Sequence, residues 1–232
     1  MQDVQEACVT PRALVVGAGG LGGPIATALA AAGLELTIYD HDRVETSNLH
    51  RQVQFATADV GGAKAATLAA ALGARAVSRR WTADEDLPDV AIAIDASDDP
   101  ATKFAVCDAA IRRGIPYVIA SALRYGGNVM VGAPGAACYR CLFEDVPDDA
   151  PSCAAAGVLG PVVGAIGGLA AALALGLVAG DRRHAGTIVV VDDVRRDVPP
   201  RFVSFRRRAG CPNCHLPEES FDAQHSRPHR SA

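Results

Sequence analysis

The sequence predicts an α/β protein with a Rossmann-like, doubly wound, mostly parallel sheet. Three observations carry that expectation: short apolar runs alternate with Ala- and Leu-rich helical stretches, glycines close the helices, and a glycine-rich turn joins the first strand to the first helix. Twenty-three glycines against 5% aromatics agree with a backbone that packs closely and approaches ligands.

The elements follow in order. Residues 12–17 (RALVVG) are an apolar run ending in glycine, as a buried parallel strand does. Residues 21–32 are the helix that follows, and Gly33 stops it. A strand over 34–39 ends at Asp40 and completes a βαβ unit. Next come a helix over 63–72 closed by Gly73, a strand over 90–94 that stops at Asp95, and a helix over 102–113 closed by Gly114. Residues 117–120, 129–131 and 187–191 read as later strands.

Residues 154–180 carry no charge over 27 positions, long enough to cross a bilayer. Their Ala and Gly content, Pro161 and the lack of flanking aromatics favour a loop through Pro161 and a close-packed buried helix over about 162–178, with no membrane partner. The expected organisation is a short N-terminal segment (1–11), one domain (12–214) with Cys-x-x-Cys knuckles at 138–141 and 211–214, and a mobile tail (215–232).

A net charge of -4 with 22 basic residues leaves no excess cation to neutralise phosphates, which argues against a nucleic-acid partner. Residues 1–11 contain acids and no apolar run of signal-peptide length, so a cytoplasmic protein is expected. There, seven cysteines read as metal ligands or reactive thiols before disulfides.

Gly17-Ala18-Gly19-Gly20-Leu21-Gly22 satisfies G-x-G-x-x-G between a strand and a helix, with Asp40 23 residues after Gly17. Glycines let the backbone turn near phosphate at the helix N-terminus, and Asp40 accepts from ribose hydroxyls. The motif alone allows NAD or ATP. The stretch that follows holds Asp42, Ser47, Asn48, Leu49, His50, Arg51 and Gln52, with Lys64 twelve residues on. An NAD-dependent oxidoreductase has no need of such a set, whereas cations and donors suit a triphosphate.

Taken with Ile94–Asp99 (IDASDD), ACYRCLF at 137–143 and SCAAAGVLGPVVGAIG at 152–167, these residues resemble the ThiF/MoeB/HesA adenylyltransferases, bacterial relatives of the ubiquitin-activating enzymes, from about Arg12 to Cys214. The resemblance implies ATP-dependent adenylation of a small ubiquitin-like sulfur-carrier protein ending in Gly-Gly. It also implies a sulfur donor such as a cysteine desulfurase or rhodanese, and a homodimer. By it, Gly19, Asp40, residues 47–51, Lys64, Asp98 and Asp99 occupy nucleotide-binding positions, and Asp98 matches a magnesium-associated aspartate. The family usually has Asn where this chain has Asp99, which also reads as a helix N-cap. Members usually carry a longer N-terminal arm whose arginine reaches a partner's site; eleven residues precede the first strand in this sequence, so either another arginine such as Arg12 or Arg124 substitutes or turnover is slow. A scaffold that binds a carrier without activating it is the non-enzymatic alternative.

Cys138-x-x-Cys141 and Cys211-x-x-Cys214 supply four thiolates, the donor set of a tetrahedral structural Zn2+ site. With 69 residues between the knuckles, such a site staples the C-terminal segment onto the domain. Cys153 matches a cysteine that in some members of the family joins the activated carrier through sulfur; an ordinary loop cysteine is the alternative. Cys8 and Cys107 read as structural.

Overall fold

The computed structural model describes residues 10–145 and 157–214. Cys8, Cys153 and the 215–232 tail therefore lie outside the described residues. Among the described residues eight strands form one sheet: β1 (Arg12–Val16), β2 (Glu35–Tyr39), β3 (Arg75–Val77), β4 (Ile92–Asp95), β5 (Tyr117–Leu123), β6 (Gly126–Gly132), β7 (Thr187–Val191) and β8 (Arg201–Ser204). Their spatial order is β3-β2-β1-β4-β5-β6-β7-β8. The five strands from β3 to β5 pair in parallel, and β6, β7 and β8 continue antiparallel.

The buried parallel half follows from unbroken apolar runs: β1 and β4 are buried along nearly their whole length. Two edge strands were not expected from sequence, because β3 is three residues long and β8 has the pattern of a fully exposed edge. β6 begins three residues before the expected 129–131, in Gly126-Gly127-Asn128, which carries no strand signal. Its glycines answer to crowding: a Cβ at Gly132 would lie 2.1 Å from the Tyr117 ring.

Helices α1 (Gly22–Ala31), α2 (Lys64–Leu72) and α5 (Gly160–Val178) cover one face of the sheet, where Ile25, Leu29, Leu68, Ile166 and Ala170 join the inward residues of the strands. α3 (Pro100–Arg112) and the short α4 (Tyr139–Leu142) cover the other, with Phe104, Val106, Trp81 and Tyr117. Pro161 does not lie in a loop: it occupies the first turn of α5, where its missing N–H has no helical acceptor to lose. α5 is long and apolar enough to cross a membrane by length and composition; in the fold it packs on α1, β4, β5 and β6 through Val162, Ile166, Ala170, Ala174 and Leu177.

The chain runs outward from β1 to β3, then returns to start β4 on the other side of β1. The β1–α1 connection therefore turns to one face and the β4–α3 connection to the opposite face. That divergence opens a crevice at the carboxyl ends of β1 and β4, where open α/β sheets place ligands.

Candidate nucleotide site and cysteine cluster

A cavity of about 790 Å³ fills this crevice. Its floor is the glycine turn. Gly17 has φ +99°, and a Cβ there would lie 2.8 Å from the Ala96 carbonyl carbon, so only glycine lets β1 turn this close to β4. A Cβ at Gly22 would lie 1.8 Å from the Gly17 oxygen; Gly22 closes the turn onto α1 and does not line the cavity. The N-terminus of α1, the positive end of its dipole, thus faces the cavity.

Asp40 fixes the turn from the end of β2. Its Oδ2 accepts the Ala18 N–H at 2.7 Å and its Oδ1 accepts the Asp42 N–H at 2.8 Å. Burial raises this carboxyl above its usual value, more than those two N–H groups and Lys64 lower it. Lys64, buried at the start of α2, holds Asp42 at 2.9 Å; burial of Asp42 raises its carboxyl, and the ammonium together with His41 and Arg80 more than offsets this. Arg51 donates to Asn48 Oδ1 within the polar turn after β2. Gln52 is 4% exposed, lines the cavity, and its Oε1 is buried with no partner among the described residues. Gln54 donates to the Ala18 and Gly19 carbonyls at 3.0 and 2.9 Å, binding the polar turn to the glycine turn.

The opposite wall comes from the β4–α3 connection. Asp95 is fully buried and does not line the cavity; Lys103 Nζ donates to its Oδ2 at 2.7 Å, to Ser97 O at 2.7 Å and to Ala120 O at 3.0 Å. Burial raises the Asp95 carboxyl even against Lys103. Asp98 is exposed on the cavity lining, and no described residue forms a salt bridge with it. Asp99 caps α3, accepting from the Ala101 N–H at 3.3 Å and the Thr102 hydroxyl at 2.7 Å, and pairs with Arg80 at 3.0 Å.

The cavity therefore gathers Gly17, Gly19, Gly20, Asp40, Asp42, Asn48, Arg51, Gln52, Lys64, Asp98 and Asp99. Ser47, Leu49 and His50 stand beside it without lining it. Ser47 donates to Glu45 at 3.2 Å, Leu49 packs on the core, and the His50 ring contacts the Ser47 carbonyl oxygen at 3.0 Å. Arg12 opens β1 at the far end of the sheet and pairs with Asp89, away from the crevice; Arg124 has φ +52° in the β5–β6 turn at the crevice end. Sequence reasoning missed Arg79, Arg80, Trp81 and Lys103, all on the lining. For Lys103 a signal existed: one cation on an otherwise apolar face of α3, eight residues after Asp95. For the other three, after an edge strand without pattern, there was none.

The four cysteine sulfurs lie together on the α3 side of the sheet. Cys138 and Cys141 are 3.8 Å apart, Cys138 and Cys211 3.5 Å, Cys141 and Cys214 3.3 Å, and all four fall within 4.8 Å of one another. Tetrahedral zinc with sulfur at about 2.3 Å sets sulfurs about 3.8 Å apart, so the donor set and its spacing fit that ion. Polar contacts lock the cluster down: Arg140 forks onto Asp108 at 2.7 and 2.8 Å, Asn213 donates to Asp108 at 2.9 Å, and Tyr117 Oη accepts the Tyr139 N–H at 3.0 Å. Cys107 is fully buried in α3 beneath it.

Comparison with known proteins agrees with this architecture. The chain is 35% identical over 225 residues to the sulfur carrier protein ThiS adenylyltransferase of Escherichia coli, covering 91% of this chain and 89% of that protein. It is 38% identical over 231 residues to the sulfur carrier protein adenylyltransferase of Thermus thermophilus, covering 90% and 84%. It is 39% identical to the mouse adenylyltransferase and sulfurtransferase MOCS3, of which it spans 46%. Among solved structures, E. coli MccB with MccA-N7isoASN shares the fold at TM-score 0.75 and 19% identity, covering 88% of this chain and 66% of MccB. The ThiF family matches residues 1–214, a span that takes in the glycine turn, both walls of the crevice and both cysteine knuckles, and the chain belongs to that family.

Proposed function

We propose that the chain uses ATP to adenylate the C-terminal Gly-Gly carboxylate of a small ubiquitin-like sulfur-carrier protein, giving an acyl adenylate for sulfur transfer. The observation that carries this reading is one crevice holding a glycine turn at a helix N-terminus, Arg51 and Lys64 on one wall, and the exposed carboxylate of Asp98 on the other. The names of the ThiS and Thermus relatives supply the substrate class.

In this reading Asp40 accepts from ribose hydroxyls, each oxygen keeping a lone pair beyond the N–H it already holds. Asn48 and Gln52, whose Oε1 has no partner among the described residues, orient the nucleotide. A carrier carboxylate oxygen attacks the α-phosphorus, the bond to pyrophosphate breaks, and Arg51 and Lys64 offset the charge that builds on the phosphate oxygens. Asp98 is the residue that would hold magnesium, a hard cation suited to carboxylate, which when bound neutralises the departing pyrophosphate. The mixed anhydride makes a poor electrophile reactive. The Cys153 thiolate, or the persulfide of a separate donor such as a cysteine desulfurase or rhodanese, attacks its acyl carbon, the bond to the phosphate oxygen breaks and AMP leaves. Cys138, Cys141, Cys211 and Cys214 would hold zinc, and four protein sulfurs would leave it no open position, so its role would be structural. We extend the reading to a homodimer, supported by the exposed small residues Gly164, Ala165, Gly168 and Ala172 of α5.

ATP–pyrophosphate exchange tests the reading. Exchange is expected with a carrier ending in Gly-Gly and not with its truncated form. Lys64→Ala should abolish exchange with circular dichroism and zinc content unchanged; an undiminished rate would mean that Lys64 does not offset phosphate charge in the reaction.

A further inference from the structure

Asp98 and Asp99 stand side by side on a lining that, if the cavity takes a nucleotide, receives a polyanion, yet among the described residues only Asp99 has a counter-charge. Arg80 comes from the loop after β3, 19 residues away in sequence. Its Nη1 donates to Asp99 Oδ2 at 3.0 Å and its Nη2 meets His41 Nε2 at 3.0 Å, so one guanidinium ties the ends of β2, β3 and β4 around the cavity mouth. His41 in turn sits 3.3 Å from Asp42.

Holding the fold together does not explain the pair. The Arg80 side chain is 52% exposed and that of Asp99 33% exposed, a setting in which ion pairs add little to stability. The cap on α3 is already made by Ala101 and Thr102, and an Asn at 99 would make it as well. What the pair changes is the charge that the cavity presents.

We infer that Arg80 is a positioning residue for the nucleotide: it cancels the charge of Asp99, so that Asp98 alone of the two carboxylates faces the phosphates and their magnesium. The inference rests on the nucleotide reading of the cavity. It makes Arg80 and Asp99 a compensated pair, with Asp99 tolerable only while Arg80 is present.

The test is equilibrium binding of magnesium-ATP, by titration calorimetry at fixed ionic strength, to the zinc-loaded full chain and four variants. Arg80→Ala should weaken binding about tenfold, the size expected when one unscreened carboxylate faces several phosphate charges near a protein surface. Adding Asp99→Asn should restore binding to within about twofold of the unchanged chain, because the charge that needed cancelling is gone. Asp99→Asn alone should bind no more weakly than the unchanged chain, and Arg80→Lys, which keeps the charge, should stay within about threefold. A double variant as weak as Arg80→Ala would overturn the inference, since Arg80 would then act on the nucleotide directly or by shaping the loop. If the unchanged chain bound no magnesium-ATP, the nucleotide reading itself would fall and this inference with it; binding without rescue overturns the inference alone.

Discussion

Lys103→Ala puts the buried wall of the crevice under the most direct strain. Asp95 is fully buried, and the Lys103 ammonium at 2.7 Å is the one described cation in contact with it. The same ammonium satisfies the Ser97 and Ala120 carbonyls. Breaking a buried pair by removing one partner costs about 3–5 kcal/mol, because the remaining charge is left desolvated. For a domain of this size that lowers Tm by roughly 6–20 °C. The loss carries a pH signature. Burial already raises the Asp95 carboxyl against Lys103, and without the ammonium it rises further. A carboxylate whose folded pKa exceeds its unfolded value makes the native state bind more protons, so stability falls as pH rises through the folded pKa. The variant should therefore lie closest to the parent below the unfolded value of 3.8 and fall behind it toward neutral pH. Urea unfolding followed by far-ultraviolet circular dichroism across that range reads the difference. A deficit below about 1 kcal/mol, or one equal at every pH, would refute the argument that Asp95 is a buried charge held by Lys103.

Two further predictions concern the cysteine cluster and Asp40. Chelation of zinc, or Cys138→Ser, should free the C-terminal knuckle from α3 and lower Tm sharply, read by zinc release and by proteolysis near residues 205–214; an unchanged melting curve after complete release would remove the stapling role. The Asp40 carboxyl is raised by burial, so magnesium-ATP binding should weaken as pH falls, with its acid limb above the ordinary 3.8. Asp40→Asn should flatten that limb; a limb at or below 3.8 in the parent would contradict the assignment.

How much of this was legible in the sequence divides along physical lines. The parallel half was readable because β1 and β4 are apolar runs ending at glycine or acid, a pattern that burial on both faces enforces, while β2 alternates buried and partly exposed residues up to Asp40. The antiparallel end was read only in part. β8 is exposed along its length and β6 opens on two glycines, so neither carries the expected periodicity. In the site, Gly17, Gly19, Gly20, Asp40, Asp42, Asn48, Arg51 and Gln52 share one cavity because a βαβ unit brings the glycine turn and the end of β2 together, whereas Gly22, Ser47, Leu49 and His50 do not line it. Arg80 and Trp81 escaped notice because they follow β3 through a segment without repeat or motif, and only the tertiary fold carries Trp81 into the α3-side core and Arg80 to Asp99. The Asp99 puzzle was of the same kind: sequence showed an extra carboxylate, and its counter-ion came from 19 residues away.

The central claim is that this crevice forms an acyl adenylate on a carrier C-terminus. Its most direct test is mass spectrometry of a Gly-Gly-terminated carrier incubated with the chain and magnesium-ATP, with hydroxylamine added to a parallel sample. The account predicts AMP attached at the carrier C-terminus, one pyrophosphate released for each, and a C-terminal hydroxamate in the trapped sample. ATP cleaved to ADP and phosphate, or a carrier that never acquires AMP in the presence of folded, zinc-loaded chain, would contradict it.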